Sequence, residues 1–191
     1  MQLTDVVSLV ILSLTWGAQI TLRSLLVRYW KLMWIISLVL IFGIVGYWVY
    51  LQYQGWHAGA PGKYLLPPYQ SINYFYSYAG SRIFGPWLIA LLASVLVSRL
   101  AEVLNRRSGE RFFEREEIHF FAIGLFLTGY PGFLFYITFV LLYELILTLY
   151  RYFFKEQKRV PLYFAWLPLA IFAILVRNWL LPHDILTSFN L

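Results

Sequence analysis

The stretch Gly132–Phe153, GFLFYITFVLLYELILTLYRYF, is apolar along almost its entire length. One acid, Glu144, lies in its middle, and one base, Arg151, lies near its end. An α-helix needs about 20 mainly apolar residues to cross the roughly 30 Å hydrocarbon core of a bilayer. This stretch therefore predicts a membrane-spanning helix.

The whole chain has the composition of a membrane protein. Of its 191 residues, 61% are hydrophobic and 13% are charged, and the mean hydropathy is +0.67. A soluble core cannot bury that much apolar surface, so we predict a single integral membrane domain, residues 1–191. The chain has no cysteine, which excludes disulfides, thiolate nucleophiles and cysteine-based metal sites.

Six apolar runs are candidates for membrane-spanning helices, so we predict an all-α, polytopic bundle with about six spans. One run, residues 118–128, is too short to cross alone. The sequence TGYPG that follows it predicts a tight turn, which would pair it with the next run. If this run crosses, we expect its helix to extend toward the charged residues before it. The predicted spans are residues 6–24, 32–51, 84–104, 118–128, 132–153 and 161–181.

The distribution of Lys and Arg predicts the orientation of these spans. Cytoplasmic loops of membrane proteins are enriched in Lys and Arg. Here basic connections alternate with connections that carry little positive charge, as six crossings with both termini outside the cytoplasm require. We therefore interpret the net charge of +6 as a topology signal in a multi-pass protein of the cell (inner or plasma) membrane, and predict no nucleic-acid partner. The basic connections contain Arg23, Arg28 and Lys31; Arg106, Arg107, Arg111 and Arg115; and Arg151, Lys155, Lys158 and Arg159.

The second connection is long, rich in Tyr, Pro and Gly, and poor in charge, with only Lys63 and Arg82. Aromatic rings with polar tips favour the headgroup region, so we expect this connection to lie along the outer interface of the membrane. The alternative is a loop that grips a ligand.

Two charged residues fall inside predicted spans rather than in connections. Glu144 and Arg99 each lie about seven residues from the basic cluster that ends their span, and therefore at similar depth. A lone charge at this depth is costly, whereas a pair is tolerated. We predict a structural ion pair between Arg99 and Glu144, with Glu102 as a further partner. The last span contains Arg177 near its outer end, where its side chain can extend to water.

The stretch FFEREEIHFF, residues 112–121, concentrates charge in an otherwise apolar chain. Glu116 and His119 are three residues apart and share a helix face, so with Glu117 they could bind a metal or act as acid and base. The start of a cytoplasmic helix explains the same residues, because acids near a helix N-terminus interact favourably with the helix dipole. We predict neither a metal nor a cofactor.

Two stretches resemble the type IV prepilin peptidases, a family of membrane aspartyl proteases. EREEIHFFAIGLFLTG is similar to the second catalytic region: Gly124 and Gly129 match two glycines of the apolar run, and Glu116 occupies the aspartate position. WGAQITLRSLLVRYWKL is similar to the first region, with Gln19 at the aspartate position. Near the C-terminus, KRVPLYFAWLPLA resembles a third family segment, with Pro161 at its first proline.

This resemblance implies a protein related to enzymes that remove basic leader peptides from prepilins. Glu116 and Gln19 are the implied catalytic positions, but Gln19 cannot ionise, and a two-aspartate mechanism needs two titrating groups. We therefore predict a degenerate relative in which proteolysis is lost or altered. The acids Glu110, Glu114 and Glu117 are predicted to bind a positively charged leader.

Two other functions fit the same sequence. The chain could be a non-enzymatic membrane subunit or scaffold, which binds partner transmembrane helices through its aromatic-rich surface. It could also be a small transporter, which would need polar residues that converge near the middle of the membrane.

Overall fold

The computed structural model describes residues 2–109, 114–154 and 162–181, and the regular structure there is helical. Short 3₁₀ segments at Gly62–Leu65 and Leu162–Phe164 and a π-helical segment at Ala79–Phe84 accompany seven α-helices. These are α1 (Leu3–Thr21), α2 (Arg23–Ala58), α3 (Ile72–Tyr78), α4 (Gly85–Arg107), α5 (Arg115–Thr128), α6 (Gly132–Phe154) and α7 (Trp166–Leu180).

In the part of the chain that the structure describes, five helical runs are long and apolar enough to cross a membrane, and they coincide with the five long predicted spans. The helical fold class is therefore confirmed. The sixth predicted span corresponds to α5, which begins at Arg115, in the charged stretch before the apolar run. Its 14 residues extend about 21 Å at 1.5 Å per residue, less than the thickness of the hydrocarbon core.

The short helix α5 lies in the centre of the bundle. It contacts α1, α2, α4, α6 and α7, and its side chains from Ile118 to Thr128 are all buried or half-buried. The hydroxyl of Ser94 on α4 donates a hydrogen bond to the backbone oxygen of Ala122 on α5, at 2.6 Å. Helices in a membrane associate through van der Waals packing and such interhelical hydrogen bonds, so an apolar helix that is buried on every side can serve as the core.

Two glycines determine how α5 packs and how it ends. A Cβ atom at Gly124 would lie 2.7 Å from the hydroxyl oxygen of Tyr136, so only glycine lets α6 approach this closely. Gly129 follows the last residue of α5 with φ of +62°, a conformation that glycine adopts without steric cost. The predicted turn between α5 and α6 is therefore present.

The second connection is more regular than its composition suggests. α2 continues to Ala58, and the chain then returns through the 3₁₀ segment Gly62–Leu65, α3 and the π-helical segment to α4. A small cluster of Leu66, Phe75 and Ala79 packs against side chains of α2 and thereby holds this connection in place.

The bundle has two chemically different ends. We call the end formed by the start of α2 and the C-termini of α4 and α6 the basic end, because Arg28, Lys31, Arg106, Arg107 and Arg151 lie there. The C-terminus of α1 and the N-termini of α5 and α7 lie at the same end. The opposite end contains the start of α1, the end of α7 and the α5–α6 turn.

The predicted ion pair between Arg99 and Glu144 does not form. Arg99 Nη1 lies 3.3 Å from Glu102 Oε2, and Arg106 Nη2 lies 2.6 Å from Glu102 Oε1, so both bases pair within α4. The reason is geometric. The central helix α5 packs against α4, which carries Arg99, and against α6, which carries Glu144. Glu102, in contrast, is three residues from Arg99 on the same helix and therefore within reach. The Arg99 side chain is 78% exposed.

Candidate functional site at the basic end

The first turn of α5 places its acids in different environments. Glu117 is buried, and its Oε2 accepts a hydrogen bond from the backbone N–H of Glu114, the N-cap residue, at 3.0 Å. This contact satisfies one of the backbone donors that a helix start leaves without an intrahelical partner. Glu117 is therefore a capping residue whose side chain does not reach the surface, and its role in leader binding stays a prediction.

The other predicted acids of this stretch differ in accessibility. Glu114 is exposed and Glu116 is half-buried, whereas Glu110 lies outside the described residues. Within residues 2–109, 114–154 and 162–181, no group of three or more His, Asp or Glu side chains is close enough to hold a metal ion. The charged stretch thus has the arrangement of a capped helix start.

Gln19, in the last turns of α1, is 1% exposed. Its Nε2 donates a hydrogen bond to the backbone oxygen of Tyr163, at 2.5 Å. Its Oε1 has no hydrogen-bond partner among the described residues. The amide therefore connects the end of α1 to the 3₁₀ segment before α7, and a buried backbone carbonyl receives the donor that it needs.

Tyr163 also connects Gln19 to α5. The Tyr163 ring lies edge-on to the ring of Phe120, with 5.4 Å between ring centroids and 87° between ring planes. Phe120 is four residues after Glu116 and therefore on the same face of α5. Gln19 and Glu116 thus lie at the same end of the bundle.

His119 is positioned by an aromatic partner. Its ring stacks on the indole of Trp30 at the start of α2, with 3.7 Å between centroids and 10° between planes. The site thus combines a half-buried carboxylate, a stacked imidazole and a buried amide. Since the amide of Gln19 neither gains nor loses a proton in the physiological range, this position cannot share a proton with Glu116 as two aspartates would.

A buried ion pair at the opposite end was not predicted. Arg177 Nη2 donates to Asp5 Oδ1, and Arg177 Nη1 donates to the backbone oxygen of Thr128 at 3.0 Å. Arg177 is 5% exposed and Asp5 is 3% exposed, so the expectation that Arg177 extends to water is wrong. The signal was present in the sequence, because Asp5 directly precedes the first predicted span and Arg177 lies near the end of the last one, which places two opposite charges at the same end.

The inward face of α1 is largely polar, and most of its polar side chains are uncharged. Its buried residues recur every three or four positions, as expected for one helix face: Thr4, Asp5, Ser8, Leu12, Thr15 and Gln19. Leu12 interrupts this row at its middle. The small hydroxyl side chains permit close approach to α7, whose buried residues include Ala170 and Ala173.

The fold defines a class of protein: a helical membrane protein whose described part has five long apolar helices packed around a short central one. Comparison with protein-family models, with curated proteins and with solved structures finds no match for this chain. The resemblance to prepilin peptidases stays a prediction.

Proposed function

We propose that this chain is a prepilin-peptidase-like membrane protein that does not cleave its partner and instead binds a partner's membrane-spanning helix. In this proposal it crosses the cell membrane six times, with α5 as the short crossing and with both termini outside. The alternation of basic and nearly uncharged connections supports the orientation, because the basic end then faces the cytoplasm.

The structural role of Gln19 carries the proposal. A two-aspartate protease needs one carboxylate to activate water and a protonated partner to polarise the scissile carbonyl. At the first family position, the chain has an amide whose N–H group already donates to the Tyr163 carbonyl. The donor is thus used to hold helices together, and the site supports packing rather than proteolysis.

A second observation supports binding of a partner helix. Glu144 lies in the middle of α6, and its Oε2 is buried with no hydrogen-bond partner in the part of the chain that the structure describes. A carboxyl group within the membrane is costly unless it is paired or hydrogen-bonded. The side chains around it, Leu141, Leu142, Leu145 and Ile146, are exposed and apolar. A partner helix with a donor side chain would pack on these apolar side chains and hydrogen-bond Glu144, which is half-buried, once its carboxyl group turns toward the partner.

One co-expression experiment tests both leader cleavage and partner binding. The tagged chain is co-expressed with a prepilin-like single-span protein in a strain that lacks prepilin peptidase, and then purified in detergent. Mass spectrometry reports whether the leader is removed, and co-purification reports binding. We expect an intact partner that co-purifies, and no change in its mass with Glu116→Gln or Gln19→Ala.

Substitutions separate the two parts of the proposal. We expect Glu144→Leu to reduce co-purification, while Glu102→Leu, a matched loss of a carboxylate on α4, does not. If the unaltered chain removes the leader and Glu116→Gln abolishes this cleavage, the chain is a working protease, and the proposal that it does not cleave its partner is refuted. Absence of co-purification with the unaltered chain would refute the binding function.

A further inference from the structure

A cavity of about 320 Å³ opens at the end of the bundle opposite the basic end. Its charged lining residues are Asp5, Arg82 and Arg177, and its aromatic lining residues include Trp48, Trp87 and Phe135. This volume is at the lower limit of typical small-molecule sites. Apolar walls with a few polar groups are the usual composition of such sites. The cavity is separate from the site on which the proposed function rests.

The charges of the cavity favour an anionic ligand. Asp5 and Arg177 neutralise each other, and Thr128 accepts the second donor group of Arg177. Arg82 is half-buried and has no ion-pair partner among residues 2–109, 114–154 and 162–181. Among the described residues, the cavity therefore has one guanidinium group whose charge is not compensated, and this group can donate two parallel hydrogen bonds to a phosphate or a carboxylate.

The backbone that carries Arg82 is unusual. Arg82 lies in the π-helical segment Ala79–Phe84, which directly precedes α4. π-Helical segments are rare, and they occur frequently at functional sites. Ile83 of the same segment and Pro86 at the start of α4 also line the cavity. The irregular segment therefore forms part of the cavity wall and carries Arg82.

The position of the cavity identifies the kind of anion. Arg82 is at the start of the helical run that enters the apolar part of α4, and Trp48 and Tyr130 line the same cavity. Trp and Tyr prefer the headgroup level of a membrane, which is where lipid phosphates lie. We propose that the cavity binds a phosphate ester, the headgroup phosphate of a membrane phospholipid, with Arg82 as its cationic ligand.

The size and lining of the cavity determine which part of the lipid enters. A volume of about 320 Å³ admits a phosphate and a glycerol unit, but not the acyl chains. The phosphate lies against Arg82, and the glycerol unit lies against the rings of Trp87 and Phe135. The acyl chains extend from the cavity along the apolar surface of the bundle.

The test measures binding to the full chain after lipids have been removed in detergent. Three probes are titrated and followed by calorimetry and native mass spectrometry: dihexanoyl phosphatidic acid, dihexanoylglycerol, which lacks the phosphate, and inorganic phosphate. We expect the phosphatidic acid to bind at least about tenfold more tightly than dihexanoylglycerol, since a charged hydrogen bond contributes about that factor. Inorganic phosphate should bind more weakly than the phosphatidic acid, because it lacks the glycerol contacts.

Substitution of Arg82 locates the site. Arg82→Gln should weaken phosphatidic acid binding about tenfold or more, and Arg82→Lys should weaken it less, because lysine keeps the charge but lacks the planar pair of donors. Lys63→Gln is the matched control, since Lys63 is an exposed cation of the same connection and should leave binding unchanged. The unfolding midpoint of each variant checks that it folds.

The possible results distinguish the sources of phosphate. Equal binding of inorganic phosphate and phosphatidic acid would assign the cavity to free phosphate and refute the lipid. Equal binding of phosphatidic acid and dihexanoylglycerol, or binding that Arg82→Gln does not weaken, would overturn the site itself. The comparison of probes uses the unaltered chain and therefore holds even where a variant fails to fold.

Discussion

The ion pair between Asp5 and Arg177 should be the most sensitive polar contact of the fold. Both side chains are almost fully buried, at 4% and 6% exposure. Removal of one partner leaves the other as a buried and uncompensated charge, which costs about 3–5 kcal/mol. We therefore expect Asp5→Asn and Arg177→Met each to destabilise the protein by at least about 3 kcal/mol. Arg177→Met also removes the hydrogen bond to the Thr128 carbonyl, worth about 1 kcal/mol.

The double variant provides the sharper test. In Asp5→Asn with Arg177→Met, neither charge remains, so the loss should be about 2–3 kcal/mol smaller than the sum of the two single losses. The assay is thermal unfolding in detergent followed by circular dichroism. For a domain of this size, a loss of 3 kcal/mol lowers the midpoint by roughly 6–12 °C.

An exposed arginine supplies the matched control. Arg99 pairs with Glu102 on the surface of α4, where an ion pair contributes about 0–1 kcal/mol. Arg99→Met should therefore lower the midpoint by less than roughly 4 °C. If Arg177→Met is no more damaging than Arg99→Met, or if the losses in the double variant are additive, the buried ion pair does not stabilise the fold as argued.

Two further substitutions test the packing at the other contacts. Gly124→Ala should destabilise the protein by about 1–3 kcal/mol in the same unfolding assay, because the new Cβ would overlap the Tyr136 hydroxyl. Gly43→Ala is the control: Gly43 has open space around it, so this change should be neutral or stabilising by up to about 1 kcal/mol. Gln19→Met keeps the side-chain volume but removes the buried hydrogen bond that Gln19 donates to the Tyr163 carbonyl, so it should cost about 1–3 kcal/mol. A loss below about 0.5 kcal/mol, the scatter of a neutral surface change, would contradict that role.

The sequence predicted the acidic start of α5, in FFEREEIHFF, but not the orientation of its two neighbouring acids. Acids near a helix N-terminus were expected from the dipole, and Glu116 and Glu117 do lie in the first turn of α5. The sequence could not distinguish the two, because neighbouring positions differ by only 100° around a helix axis, the rotation that a pitch of 3.6 residues per turn implies. Packing against the other helices turned Glu117 inward and left Glu116 half-buried.

The prediction of an ion pair between Arg99 and Glu144 was wrong because it used only the depth of each residue along its span. Depth in the membrane follows from the count of residues along each span, and on that basis Arg99 matched Glu144. Depth does not say which helices are neighbours. Because α5 occupies the centre of the bundle, Arg99 met Glu102 of its own helix instead.

The sequence by itself determined the helical class, the five long apolar helices, the turn at Gly129 and the separation of a basic end from an end with fewer Lys and Arg residues. These properties are local, since each depends on the hydropathy, charge or backbone freedom of residues that are adjacent in the chain. The tertiary structure alone decided that Asp5 pairs with Arg177, 172 residues away, and that Gln19 binds the carbonyl of Tyr163, 144 residues away. Such contacts depend on the rotation and neighbours of each helix, which are set when all of the helices pack together.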